Sequence, residues 1–166
     1  ETPFAIAWSK ENVQFLKTDI KARYQGYTFF FKEGFCWNNV LNPNARLLKV
    51  KMKFASVNDV GSMSLSSLAE NIPNYYLVSI LNSEFIFDYY REFINCTVNI
   101  QMNDIKQIPV VVPSKIQLQE LLSNFENAIK LKKSVAKHKA TEESISVALC
   151  KTEQRINDFV ENLYEI

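Results

Sequence analysis

Aspartate and lysine two residues apart occur as Asp19-Ile20-Lys21 and again as Asp104-Ile105-Lys106. With Asp88 upstream, the second triplet has the residue types of a nuclease centre, in which carboxylates hold magnesium and a lysine stands beside the attacking water. Against that chemistry, the surrounding pattern predicts a helix at Asp88 rather than a strand end. Other catalytic constellations lack parts. The single histidine, His138, lies in KKSVAKHKA, surroundings too basic and polar for a dyad or a metal site. Gly26, Gly34 and Gly61 are isolated, so there is no glycine-rich phosphate cradle, and no Gly-x-Ser-x-Gly elbow occurs. Cys36, Cys96 and Cys150 are far apart and form no Cys-x-x-Cys pair, which argues against a disulfide framework and a zinc site. The expectation is a chain with no cofactor of its own.

The most concentrated chemistry is cationic. Residues 1–56 hold nine basic side chains (Lys10, Lys17, Lys21, Arg23, Lys32, Arg46, Lys49, Lys51, Lys53) against four acidic ones (Glu1, Glu11, Asp19, Glu33), a balance of +5. The net charge of the whole chain is +1, so the remainder carries −4. In ARLLKVKMKF, residues 45 to 54, Val50, Met52 and Phe54 alternate with Lys49, Lys51 and Lys53. A period of two predicts a strand with one buried face and the three lysines together on the other. With Arg46 just upstream and no acid nearby, that face would attract a polyanion. An edge strand guarded from aggregation by lysines would read the same way.

The elements needed to carry this strip follow from periodicity, and they predict an α+β fold. Residues 1–113 read as a small mixed or antiparallel, β-rich domain with packed helices; residues 114–166 read as two long amphipathic helices. A short helix is predicted over Glu11 to Lys17, and strands at YTFFF (27 to 31) and at 45 to 54. Tyr76, Ile80, Leu81, Phe85, Tyr89 and Phe93 recur at helical spacing, with Pro73 in the first turn and an end near Ile94. The apolar run Ile108 to Val112 predicts a buried strand. Ser114 and Gln117 have capping-box form, and Leu118, Leu121, Leu122, Phe125 and Ile129 make an apolar face behind them. A polar stretch from Lys130 to Thr141 is either more of that helix or a connection. Ile145, Ala148, Leu149, Ile156, Phe159, Val160 and Leu163 then repeat the pattern. The two helices suit a hairpin that docks on a partner, or equally packing on the domain's own sheet. At 166 residues with 47% hydrophobic and 22% charged, the composition is that of a globular domain. No apolar run reaches the roughly 20 residues of a membrane span and no signal-peptide pattern opens the chain, so a cytoplasmic protein without a membrane partner is expected.

In order, FKEGFCWNNV, ARLLKVKMKF, YYLVSILNSEFIFDYY, NCTVNIQMNDIKQIPVVVP and a final helix ending INDFVENLYEI resemble a known family. It is the C-terminal target recognition domain of adenine-specific DNA methyltransferases in fused type II restriction-modification enzymes, including phage-exclusion relatives. The most specific parts are Lys-Glu-Gly-x-x-Trp, Leu-Asn-Ser before a Tyr-Tyr pair, and Asn-Ile-Gln leading to Asp-Ile-x-x-Ile-Pro. The likeness runs from about Phe29 to the end, and type I specificity subunits are the nearest neighbours in architecture.

The resemblance implies a division of labour. A methyltransferase catalytic domain in the same parent chain or complex would bind S-adenosylmethionine and methylate adenine, with magnesium needed only if the parent cleaves DNA. This chain has no Asn-Pro-Pro-Tyr or similar motif and no glycine-rich motif for the methyl donor, so it is expected to be no enzyme on its own. Its start at Glu1 fits a fragment. Its partner would be double-stranded DNA. Asparagine can bond an adenine edge twice, and arginine or lysine a guanine edge, each good pair being worth about 1–3 kcal/mol of discrimination. Trp37, Asn38 and Asn39, read as a short turn on a rigid sheet, suit groove reading, with Lys32 placed for a phosphate. Trp37 as a core anchor, with the asparagines shaping the turn, is the competing reading. Arg46, Lys49, Lys51 and Lys53 would meet phosphates. Asn99 and Gln101, two apart and on one face if extended, are further candidate base readers. The C-terminal helices would be a spacer or docking surface, so deleting Thr141 to Ile166 would harm assembly and leave base preference intact. A helical protein-interaction module and a magnesium-dependent nuclease are the alternatives.

Overall fold

The structure, a computed structural model, describes residues 5–22, 24, 26–58, 61–137 and 142–166. Three strands, β1 (Gly34–Asn38), β2 (Lys51–Lys53) and β3 (Ser62–Leu65), form an antiparallel sheet in the order β2-β1-β3. The helices are α1 (Lys10–Thr18), α2 (Asn74–Leu81), α3 (Glu84–Tyr89), α4 (Met102–Ile105), α5 (Lys115–Lys137) and α6 (Glu142–Tyr164), of which α2 and α4 pack on the sheet. The fold is α+β, as expected.

The register divides the sheet into two chemically different faces. Phe35 stands opposite Met52 and Leu65, and Trp37 opposite Met63. These apolar side chains share one face because successive strand residues point to opposite sides. Phe35 and Trp37 join a continuous core with Tyr76, Ile80, Ile86, Tyr90, Ile100, Leu121 and Val160. α2 is the hub of that core, touching β1 and β2 on one side and α5 and α6 on the other. It buries Tyr76, Val78, Ser79, Ile80 and Leu81, as a helix covered on two sides must.

Several elements differ from the sequence reading. YTFFF forms a 3-10 turn at Tyr27–Phe29, and Phe31 then adopts a left-handed φ of 58°, which no strand continues through. In the 45 to 54 run only Lys51–Lys53 is a strand, because Lys49 has a φ of 56°. Trp37 and Asn38 lie in the central strand, not in a turn. The long helix ending at Ile94 exists in three pieces, α2, α3 and a π-helical turn at Tyr90–Ile94. It breaks at Asn82 and Ser83. There Ser83 Oγ accepts from Ile86 N–H (3.3 Å) to cap α3, and the Asn82 amide turns away toward β2.

Ile108 lies in a bend, its N–H bonded to Ile105 O (3.3 Å), and residues 109 to 112 form no strand. Pro109 and Pro113 cannot donate to a ladder. Tyrosine hydroxyls take the carbonyls instead: Tyr164 donates to Pro109 O and Tyr76 to Val111 O, both at 2.6 Å.

The C-terminal helices pack on each other and on the domain itself. Asn127 Nδ2 donates to Thr152 Oγ1 (3.1 Å), and Lys132 pairs with Glu153 (2.8 Å). Tyr75 donates to the Leu118 carbonyl at the start of α5, while the end of α6 brings Tyr164 to Phe85. Both ends therefore meet the α2–α3 layer, as in an antiparallel pair. α5 runs to Lys137, so the polar stretch after Lys130 is helix that far, and His138 lies outside the described residues. Among the described residues no helix is long and apolar enough to cross a membrane.

Candidate nucleic-acid interface

The outer face of the sheet is polar. Cys36 stands opposite Lys51 and Ser64, and Asn38 opposite Ser62, so these five share the side away from the core with Lys53. Beyond Asn38 the chain changes partner: Asn39 N–H bonds Gly61 O (3.0 Å), Ile100 N–H bonds Asn39 O (2.9 Å), and Leu41 N–H bonds Val98 O (2.7 Å). Val40 pairs with Asn99 in an antiparallel bridge. Burial alternates through both segments, with Leu41 and Ile100 inside and Asn38, Val40, Asn99 and Gln101 exposed. Asn38, Asn99 and Gln101 are thus brought to one surface with Lys51, although some sixty residues separate the two segments in the chain.

That surface is held from behind. Trp37 is only 2% exposed, and its Nε1 donates to the Ile100 carbonyl (3.4 Å), tying β1 to the segment that carries Asn99 and Gln101. The same burial corrects the assignment of Trp37 to a DNA contact: its indole belongs to the core. Asp104 Oδ2 accepts from Gln101 N–H (2.9 Å), Asn95 Nδ2 (2.8 Å) and Tyr90 Oη (3.3 Å). This carboxylate fixes the turn into α4. Its charge and the burial of the ring both push the Tyr90 hydroxyl well above an ordinary tyrosine, burial being the larger cause. Three donors on one oxygen give Asp104 a structural task. Among the described residues no cluster of three or more histidine, cysteine, aspartate or glutamate side chains is placed to hold a metal ion.

The lysines divide. Lys51 is exposed on the polar face and Lys49 is exposed at its left-handed turn. Lys53 is 6% exposed, with its Nζ donating to the Lys32 carbonyl (2.8 Å), so the expectation of three lysines projecting together is corrected. Burial lowers the Lys53 ammonium below an ordinary lysine, and Cys36 on the same face partly offsets this. Burial likewise pushes the Cys36 thiol up, while Lys51 and Lys53 pull it down. Lys32 is exposed, its Nζ 5.7 Å from the Phe29 ring centroid. Asn39 is half-buried, and its backbone is spent in the pairing described above.

Arg46 is exposed at a cleft of about 420 Å³ lined also by Leu41, Asn42, Asn44, Asp88, Arg91 and Val98, so α3, the loop after β1 and the Val98 segment all border it. Ser62 and Ser64 were not singled out from sequence. The alternation Ser62-Met63-Ser64-Leu65 carried their signal, a period of two placing both serines opposite the apolar pair. Compared with known proteins, the chain matches no family model, no curated protein and no solved structure.

Proposed function

We propose that this chain is a DNA recognition domain that reads duplex base edges and phosphates and leaves methyl transfer to a catalytic domain outside it. The observation that carries the reading is the polar sheet face, where Asn38, Asn99 and Gln101 lie with Lys51 on one surface backed by a rigid core. Amide side chains suit base edges, and a lysine among them suits the phosphate backbone. The order of five motifs that resembles adenine-methyltransferase recognition domains supports the same reading. S-adenosylmethionine then belongs to the partner domain. This chain supplies orientation: Trp37 and Asp104 hold the two segments that present the amides, and no residue here is assigned a chemical step.

The test is titration of the chain against short duplexes of mixed sequence at two salt concentrations. Binding should weaken steeply with salt, and Lys51→Glu should lower affinity for every sequence and flatten the salt slope by about one. Asn38→Ala and Gln101→Ala should instead relax base preference, each by about 1–3 kcal/mol of discrimination once the catalytic domain is present. The absence of salt-sensitive duplex binding would sink the proposal.

A further inference from the structure

A second surface, built by other residues, stands beside the polar face. Tyr27, Phe29, Phe31 and Phe54 are 61%, 56%, 48% and 68% exposed, and the first three alternate along one short stretch of chain. Single exposed aromatics need no explanation, but a group of them does. They are not loose. Trp8 meets Phe30 and Phe31 edge-on, at 5.8 and 5.2 Å between centroids. Tyr24 lies parallel to Tyr27 (5.6 Å, 12°) and edge-on to Phe30 (5.5 Å). Phe31 N–H bonds Ser56 O (3.1 Å) and Lys53 Nζ bonds Lys32 O, which together bring the Phe54 loop alongside. Phe31 holds a φ of 58°, a costly conformation for an aromatic residue, and its N–H bond to Ser56 and its contact with Trp8 hold it there while about half of the residue stays exposed.

Two lysines stand over rings of this region, one of them over one of the four exposed rings. Lys17 Nζ lies 5.6 Å from the Tyr24 centroid and Lys32 Nζ 5.7 Å from Phe29. Among the described residues the one ion pair is Lys132 with Glu153, so no described carboxylate pairs with either ammonium. We propose that Tyr27, Phe29, Phe31 and Phe54 form a stacking platform for the unpaired bases of a single-stranded nucleic acid, with Lys17 and Lys32 meeting its phosphates. Flat rings that accept any base and lysines that track a backbone are the two components of sequence-tolerant single-strand binding. This goes beyond the duplex reading, since neither the rings nor Lys17 belong to the polar sheet face.

The experiment is a fluorescence-anisotropy titration of the chain with labelled oligothymidine at low salt, beside an abasic strand of equal length and a duplex. The chain should prefer oligothymidine to the abasic strand. Phe29→Ala with Phe54→Ala should weaken oligothymidine binding at least about tenfold, while Phe29→Trp with Phe54→Trp retains it, because any aromatic face can stack. Both pairs are on the surface, and their melting midpoints report whether folding is intact. Equal binding of the abasic strand, or no effect of the alanine pair, overturns the platform. Failure of oligothymidine while duplexes bind overturns it too and leaves the duplex proposal standing; binding of oligothymidine alone does the reverse. Dissociation of a dimer by the alanine pair with oligothymidine binding unchanged would assign the rings to a second copy of the chain and overturn the proposal.

Discussion

The Asn82 side chain takes both backbone groups of Val50: its Oδ1 accepts from Val50 N–H (2.9 Å) and its Nδ2 donates to Val50 O (2.7 Å). It therefore acts as one more strand residue beside β2, supplied by the end of a helix. Val50 is buried, so removing the amide strands a donor and an acceptor away from water. Asn82→Ala should cost about 2–4 kcal/mol in a urea unfolding titration, by the penalty for two unsatisfied buried groups. A loss below about 1 kcal/mol would mean that water reaches Val50. Gly34 is fixed by a close approach rather than by dihedral freedom. A Cβ there would strike the Leu65 carbonyl oxygen across the β1–β3 pair. Gly34→Ala should lower the melting midpoint and disturb the β3 resonances in an amide spectrum, whereas Gly61→Ala, which meets no neighbouring atom, should leave the β1–β3 pair intact. The Lys-Glu-Gly-x-x-Trp motif can thus be read physically: the glycine lets β3 approach, and the tryptophan anchors β1 to Ile100.

At the scale of elements, α6 is part of the domain rather than an appendage to it. Val160 is fully buried, Thr152 is 2% exposed, and Tyr164 bonds the Pro109 carbonyl. The expectation that deleting Thr141 to Ile166 would spare recognition while harming assembly is therefore replaced. Without α6, the helices α5, α3 and α2 lose a packing partner and the core loses Val160, and the truncated chain should lose its cooperative thermal transition altogether. Retention of a native-like transition would show that the sheet and α2 fold alone. The break between α2 and α3 belongs to this scale as well. Hydrophobic spacing from Tyr76 to Phe93 reads as one helix because the apolar face continues through the break, and the interruption comes from side-chain bonds of Asn82 and Ser83 that periodicity does not register.

For the whole molecule, the strongest pH dependence is expected on the alkaline side. Burial raises the hydroxyls of Tyr75, Tyr76, Tyr90 and Tyr164 above their ordinary value. The unfolded chain then releases these protons first, from about pH 10. Stability carried by the protonated tyrosines is complete below that pH and is lost as pH rises toward their folded values. Lys53 acts in the opposite sense: its lowered value makes the unfolded chain bind the proton more strongly, so stability rises with pH up to the ordinary lysine value near 10.4. The urea midpoint should therefore hold or rise slightly to about pH 10 and fall beyond it. Tyr76→Phe should soften the fall, at a cost of about 1 kcal/mol at neutral pH for the bond to Val111. A midpoint flat to pH 11.5 would contradict the burial of these hydroxyls, since about a unit of extra pH above the ordinary value is needed to expose it.

Local patterns alone determined the α+β class, the positions of α1, α5 and α6, the end of the central helical region at Ile94 and the polar alternation of Lys51 with Met52. Each depends on neighbours a few residues apart, whose spacing decides which side of a helix or strand they occupy. The tertiary structure decided the rest. It buried Lys53 against the Lys32 carbonyl, made Trp37 a core anchor rather than a reader in a turn, left Pro109 and Val111 bonded to tyrosines instead of a strand, and placed Arg46 at a cleft shared by α3 and the loop after β1. It also placed Asn38 beside Asn99 and Gln101. These outcomes depend on which distant backbone groups remain unpaired and which side chains reach them, and such pairings leave no periodic trace in the order of residues.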